Sequence, residues 1–584
     1  MVMRSTVDRV TPFTAPAETA TGSGTADSPR GVRIDVDALS RRVRGRNRGE
    51  LTLLDAVSFT VAAGELVAIV GPSGAGKTTL LETIAGVAPT TSGSVRFDGV
   101  DLHANLDAFR GMLGYVPQDD IVHAELPLRR MLGYAAQLRL PSSATRAEVD
   151  DAVRDAMDAV GLTAQADVRV GSLSGGQRKR ASIAVELLTD PQVFFLDEPT
   201  SGLDPITGTE LVGRLRELAD RSATVVFTTH SVEDLERCDR IVFMAPGGRV
   251  GFVGTLDDAL EWYGADSVPE LYCRLAEPSL STVTRDAAQL APPHDGGSAR
   301  AVHQRPVANE ITQWRVLTRR TLETIARNRL TLAILLGSPA LVVAMFAVLF
   351  GPGAFDFRDP SPSSMVMIGF WIVFAAFFFG LTYGLLQICT ERTILRRERL
   401  VGLRLGAYVA SKVTVLVPFL LLVIVGMLGV LRLLDRLPAR SLSTYASIGF
   451  GLLLCAVAAL GLGLLTSAAV GNVSQATLAL PMLCFPAVLF SGAILPVNLM
   501  ANAGAAISTV IPTRWAFEAI GHDIGARRIL AHGGSRLGPP LLASFGNAGT
   551  QSSETYWFVL CVFAAAFLVA TYAVLTRVTR KAMR

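Results

Sequence analysis

The chain has 584 residues, half of them hydrophobic, with a mean hydropathy of +0.39 and a net charge of +3. That length exceeds one ordinary domain, the hydropathy is too high for a soluble enzyme, and the near-neutral charge argues against nucleic acid as the main partner. Six cysteines (Cys238, Cys273, Cys389, Cys455, Cys484, Cys561) show neither metal-ligand spacing nor a CxxC pair. Apolar character is uneven. Residues 1–312 are mixed and charged and long apolar runs begin at Leu330, so a soluble half precedes a membrane half.

Residues 1–30 lack an apolar core of signal-peptide length. Rich in Ser, Thr, Ala, Gly and Pro, they are expected to form a disordered cytoplasmic tail. Leu66–Val70 is a short apolar run of buried-strand type, followed by GPSGAGKTT, Gly71–Thr79, and a helix-compatible segment. In that context the pattern is a P-loop. Gly71, Gly74 and Gly76 let the backbone of Gly71, Pro72, Ser73, Gly74, Ala75, Gly76, Lys77, Thr78 and Thr79 wrap a phosphate. Lys77 reaches the β- and γ-phosphates and Thr78 offers a hydroxyl to Mg²⁺. Downstream, VFFLDE ends a second buried strand in two acids. Asp197 is placed to hold Mg²⁺ through water, and Glu198 to polarise the attacking water as general base. Gln118, in GYVPQDD, and His230, ending ATVVFTTH, are expected at the same edge of an α/β sheet, where ligands bind. A second phosphate grip, SLSGGQRKR, places Ser174, Gly175 and Gly176 at a helix N-terminus with a favourable dipole. A largely helical insert, roughly 127–171, separates the two grips.

These motifs resemble those of the ATP-binding cassette (ABC) transporters. The matching parts are Walker A at Gly71–Thr79, the Q-loop glutamine Gln118, the signature LSGGQ with Ser174 to Gln177, Walker B, the D-loop SGLD with Asp204, and the H-loop His230. The resemblance implies an ABC cassette of α/β P-loop fold over residues 31–265, binding ATP and Mg²⁺. Thr78, Gln118 and Asp197 would serve the metal, and Glu198, His230, Gln118 and Lys77 would serve hydrolysis. In that family the signature binds the nucleotide held by the partner's Walker A, which would explain two grips in one polypeptide. It implies a second copy of the chain as partner, with two composite sites. One departure concerns the adenine: where the family has an aromatic residue, ALSRRVRGR offers Arg41, whose guanidinium plane can stack on a base. The nearby Arg41, Arg42, Arg44, Arg46 and Arg48 suit a solvated hairpin.

Residues 266–311 are expected to be a flexible linker. Residues 312–329 place Trp314, Leu317, Leu322 and Ile325 broadly on one side among arginines, and suggest an amphipathic helix on the cytoplasmic membrane surface. A helix packed on the nucleotide domain is the rival reading. From 330 to 584 an all-α permease domain is expected, with six spans near 331–351, 364–388, 413–431, 444–466, 474–495 and 555–576. An even count and the tail RVTRKAMR put both termini in the cytoplasm of a plasma (inner) membrane. The loop RLLDRLPAR then lands outside with three arginines, against the positive-inside rule. Order and detail, including ERTILRRERLVGLRLGAYVASK, resemble the G subfamily of half-transporters. There this stretch carries a coupling helix, with Glu391, Arg392, Arg396, Arg397, Glu398 and Arg399 forming its polar face. No span has a charge at its middle, which suits a small apolar or amphipathic substrate. The resemblance would put Phe374, Phe377, Phe378, Tyr383, Asn472 and Gln475 along its path. The expected function is ATP-driven export by a homodimer embedded in the lipid bilayer. Rival readings are an ATPase that moves membrane helices without a solute, an importer, and one half of a heterodimer.

Overall fold

The computed structural model describes residues 31–44, 49–109, 111–119, 121–221, 223–275 and 308–583. The expected tail, most of the expected linker, and Arg46 and Arg48 lie outside these residues. The strands β1 (Ile34–Arg44) and β2 (Glu50–Val61) form an antiparallel hairpin with Arg44 opposite Glu50. The buried strand β3 (Leu66–Val70) leads through the P-loop into helix α1 (Lys77–Ile84). With β4 (Ser92–Phe97) and β5 (Val100–Asp101), the hairpin makes a four-stranded sheet in the order β2-β1-β4-β5. Then come α2 (Leu106–Phe109), β6 (Leu113–Val116), the helical insert with α3 (Leu128–Arg139) and α4 (Arg146–Ala159), and α5 (Gly175–Leu187). The soluble half ends with β7 (Val193–Leu196), α6 (Pro205–Asp220), β8 (Thr224–Thr228), β9 (Arg240–Ala245), β10 (Arg249–Gly254), α7 (Leu256–Tyr263) and α8 (Val268–Leu275).

The second sheet has the order β10-β9-β3-β8-β7-β6, parallel except for β10. Strands β3, β7 and β8 are buried along their whole length. Covered on both faces, such strands are continuous apolar runs, without alternation. Neighbours in a parallel sheet end on the same edge, so the tips of β3, β8, β7 and β6 lie side by side, and the P-loop, His230, the Asp197–Glu198 pair and Gln118 follow them in turn.

Helix α8 corrects the expected linker, whose first part is ordered onto the soluble half: Leu271 and Leu275 are fully buried. The membrane half begins with α9 (Glu310–Arg327). This helix is packed against other parts of the chain. Its buried residues are Gln313, Val316, Leu317, Arg320, Thr321 and Ile325, whereas Leu322 is 50% exposed. Its buried side packs along the later membrane-half segment, where Gln313 Oε1 accepts from the Arg404 N–H at 2.8 Å and Arg320 pairs with Glu398, while Glu323 ties it to the soluble half by accepting from Arg130 at 2.6 Å and from the Tyr134 hydroxyl at 2.5 Å, both on α3.

The apolar helices are α10 (Arg329–Leu349), α11 (Pro362–Leu385), α13 (Leu405–Leu433), α14 (Leu442–Ala469), α15 (Val473–Leu489) and α20 (Ser553–Met583), with the short α12 (Arg392–Leu400) between α11 and α13. Five are long and apolar enough to cross a membrane. The expected fifth span is shorter: α15 has 17 residues, with Pro481 and Pro486 inside it. Four short helices follow, α16 (Asn502–Thr509), α17 (Pro512–Ile524), α18 (Ala526–His532) and α19 (Gly538–Phe545). Helix α13 has 29 residues. At ~1.5 Å per residue it is about 43 Å long, more than enough to cross a ~30 Å apolar core.

Candidate functional site

The P-loop leaves β3 at Gly71, whose backbone has φ 149° and lies so close to Met244 that a Cβ would sit 2.4 Å from its carbonyl oxygen. Gly74 has φ 80° and nothing within 4 Å of where a Cβ would be, so the loop is open on the side a phosphate would approach. Lys77 is folded onto this loop, donating from Nζ to the Gly71 carbonyl at 2.8 Å and to that of Pro72 at 3.2 Å. Thr78 Oγ1 donates to Asp197 Oδ1 at 3.1 Å. A hydroxyl and a carboxylate are the hard oxygen donors that Mg²⁺ takes. The residues therefore fit the ion.

Glu198 sits at φ 45°, left-handed for a residue with a side chain. Two contacts hold it. Its N–H donates to Thr228 Oγ1 at 2.8 Å, and the same hydroxyl donates to Asp197 Oδ1 at 2.6 Å. The Glu198 carboxylate takes a hydrogen bond from Gln118 Nε2 at 3.1 Å, and His230 Nδ1 lies 3.8 Å from its other oxygen. The expected Gln118, Asp197, Glu198 and His230 thus meet beside Thr78. A carboxylate with an amide and an imidazole around it can orient a water and take its proton.

Other expected residues stand apart. Ser174 and Gly175 are exposed at the start of α5, where Ser174 and Gln177 form a capping box. Among the described residues, Ser174 to Gln177 make no hydrogen bond to the P-loop. A Cβ on Gly176 would meet Leu203 at 2.9 Å, so the signature adjoins the D-loop. Asp204 caps α6 by accepting from the Thr207 N–H at 3.0 Å, a bond that lowers its pKa. Arg41 is turned onto α1, with Nη1 3.5 Å from Glu82 Oε2 and 18% of its side chain exposed. Stacking on a base would require it to leave that carboxylate, whose pKa burial raises and Arg41 lowers.

Sequence reasoning missed two residues. Thr228 looked like an ordinary strand residue. Lys179 looked like part of a phosphate grip, but it is 4% exposed and points inward. Its Nζ donates to the carbonyls of Pro117 and Gln118 at 3.1 and 2.7 Å, fastening the Q-loop to the signature helix.

Residues 54–201 match the family described as ABC transporter, and residues 312–521 match the family described as ABC-2 type transporter. The chain is 32% identical over 531 residues to the ABC transporter ATP-binding/permease protein Rv1747 of Mycobacterium tuberculosis, covering 88% of this chain and 60% of that protein. It is 36% identical to the Nod factor export ATP-binding protein I of Paraburkholderia xenovorans, over 35% of this chain and 67% of the relative. It is 38% identical to the broad substrate specificity ATP-binding cassette transporter ABCG2 of Bos taurus, over 34% of this chain and 31% of the relative. The chain belongs to the ABC transporter family. It spans less than two thirds of the mycobacterial protein's length.

In this ABC chain the cassette and the membrane helices meet at α12. Arg397 is 6% exposed and reaches into the cassette. It donates to Glu186 Oε1 at 2.6 Å, to the Ser182 carbonyl at 2.6 Å, and to the Ile121 carbonyl, three residues past Gln118, at 2.8 Å. Arg139 of α3 also donates to Glu186, at 2.6 and 2.9 Å. Burial raises the pKa of Glu186, but the two guanidinium groups outweigh it and hold the carboxyl down at about 2. Two other charges on this stretch pair within the membrane half: Glu398 with Arg320 of α9, and Glu391 with Lys412 of α13 at 2.8 Å.

The expected substrate contacts divide. Phe374 and Phe378 lie half-buried on one face of α11, while Phe377 and Tyr383 are buried. The Tyr383 hydroxyl donates to the Leu335 carbonyl. Asn472 and Gln475 cap the start of α15, with Asn472 Oδ1 accepting from the Gln475 N–H at 2.9 Å.

Proposed function

We propose that the chain is an ATP-hydrolysing half-transporter of the G-subfamily type. Two copies pair face to face and export an apolar or amphipathic molecule across a plasma membrane, with both termini in the cytoplasm. The observation that carries this reading is the meeting of Gln118 and His230 on Glu198 beside Thr78 and Asp197, in a cassette that Arg397 ties to the membrane helices. In this reading Gly71–Thr79 wrap the phosphates of ATP and Lys77 leaves its own loop for the β- and γ-phosphates. Thr78, Asp197 and Gln118 hold Mg²⁺, which supplies charge neutralisation of those phosphates. Glu198 takes the proton of the attacking water, and His230 steadies the γ-phosphate side of the site. The exposed Ser174–Gln177 end of α5 and Asp204 serve the nucleotide of the second copy, and Arg41 lies against the adenine. Two relatives carry export or broad substrate specificity in their names, which supports transport as the output.

The test is Mg²⁺-ATPase activity of the chain in lipid nanodiscs against a panel of lipids and amphiphiles, with Glu198→Gln as the blank. Activity that falls by ~10²–10⁴-fold in the blank and rises with particular compounds is the expected result. Activity indifferent to every compound favours an ATPase that moves helices without a solute. No activity from the chain alone sinks the homodimer.

A further inference from the structure

At the far end of the membrane half from the cassette there is a cleft of about 500 Å³. Three segments wall it: the loop between α10 and α11, the loop between α13 and α14, and α18. Four charged side chains line it, Asp356, Asp435, Arg440 and Arg528, together with Phe355 and Phe357. Among the described residues these four form no ion pair with one another. All four are exposed; among the described residues the side chains of Arg528 and Asp435 make no hydrogen bond, and Asp356 Oδ1 accepts only from the Arg358 N–H at 3.0 Å. Arg440 gives one nitrogen to the Ile524 carbonyl at 2.9 Å and keeps its other donors. Two cations and two anions thus share one cleft without neutralising each other, and the space between them suits a ligand that carries both signs.

The chemistry narrows that ligand. Guanidinium groups match the oxygens of a phosphate. Carboxylates beside an aromatic ring match an ammonium, and Phe357 is 47% exposed next to Asp356. A second observation concerns what the zwitterion is attached to. Behind the cleft is an apolar cavity of about 70 Å³, lined among others by Met365, Phe517, Leu530 and Phe545. Phe355 lines both spaces. Helix α18 divides them, turning Arg528 and Ile529 to the charged cleft and Ala526, Arg527 and Leu530 to the apolar cavity, where Arg527 Nη1 is taken up by the Gly546 and Ala548 carbonyls.

We propose that this is a binding site for a zwitterionic amphiphile, a phosphate next to an ammonium on an apolar tail. The phosphate sits at Arg440 and Arg528, the ammonium at Asp356 and Asp435, and the tail runs against Phe355. The site is remote from the nucleotide residues, so its binding test stands whether or not the chain hydrolyses ATP.

The test is native mass spectrometry of the full chain in detergent, offered equal amounts of phosphatidylethanolamine and phosphatidylglycerol with the same acyl chains. Retention of phosphatidylethanolamine in about tenfold preference, equivalent to one decade in affinity, is expected. Asp435→Asn should erase that preference, because the ammonium loses a partner. Arg528→Gln should lower retention of both lipids, because both carry the phosphate. Neither residue has a side-chain bond to lose, so both variants keep the fold, and Asn tolerates the left-handed backbone of Asp435 (φ 53°). Equal retention of the two lipids by the unaltered chain, or a preference that ignores both substitutions, overturns the proposal. Glycerophosphoethanolamine, the headgroup without tails, separates the sources. Its failure to displace the lipid in large excess is expected, and displacement at equal concentration overturns the amphiphile in favour of a soluble zwitterion.

Discussion

The hydroxyl of Thr228 accepts from the Glu198 N–H and donates to Asp197, so one side chain sets the spacing of two adjacent acids. Thr228→Val keeps the shape and removes both bonds. It leaves the buried Asp197 short of a donor, at a cost of about 1–3 kcal/mol. The expected outcome is a higher Mg²⁺ requirement for ATP hydrolysis, read from activity against Mg²⁺ concentration, with Thr228→Ser restoring the original curve. The acids themselves were legible in the sequence, because a buried strand that ends in two carboxylates after a P-loop has few other uses. Thr228 was not legible, since a β-branched residue in a strand needs no further explanation until its hydroxyl is seen between Asp197 and Glu198.

At the scale of elements, α12 is fixed by charges it finds on other segments. Glu186 and Arg397 are 211 positions apart, so no local pattern announces their contact. Glu186→Gln strands the Arg139 and Arg397 guanidinium groups in a buried site, and breaking such a pair costs about 3–5 kcal/mol. A fall in thermal midpoint is expected, larger than for Arg397→Met, which leaves Glu186 paired with Arg139. His123 adds a pH dependence. Burial, with Arg320 next, lowers its pKa from 6.5 to about 4, against the opposing pull of Glu391 and Glu398, with Lys412 also facing it. The unfolded chain therefore binds a proton that the folded chain refuses. The contribution is whole above pH 6.5 and is lost as pH falls towards about 4. His123→Gln should flatten the stability profile across that window in thermal unfolding at stepped pH. Elements also explain two of the three arginines of the loop RLLDRLPAR. Arg436 donates to the Ala347 carbonyl at 3.0 Å in the last turn of α10, and Arg440 donates to Ile524 at the end of α17. Cations are favoured at helix C-termini, so local bonding gives Arg436 and Arg440 their places whichever side of a membrane the loop faces. Charge counting along a sequence sees the arginines and not the carbonyls they reach.

At the scale of the whole molecule, the division into a cassette and a helical half was legible because hydropathy changes so sharply at Leu330. The short α15 was legible only in part: its apolar run continues past Leu489, but the helix does not, and the chain turns instead into α16 to α19. How the helices pack was not legible at all. A Cβ on Gly380 of α11 would sit 2.1 Å from the Ala456 carbonyl of α14, and one on Gly384 would sit 2.5 Å from that of Leu460. From the other side, a Cβ on Gly463 would sit 2.4 Å from the Leu381 carbonyl. Gly380→Ala should therefore cost about 1–3 kcal/mol by overpacking, seen as a lower thermal midpoint, while Gly337→Ala, where a Cβ meets nothing within 4 Å, should be neutral. Backbones that touch at three levels act as a welded seam. Nothing as wide as a methyl group can slip between α11 and α14, and the two must tilt as a single plank. Under the proposed export, the travelling molecule would have the opposite flank of α11, where Trp371, Phe374 and Phe378 are half-open, and one chain would supply a wall of the corridor and not the corridor.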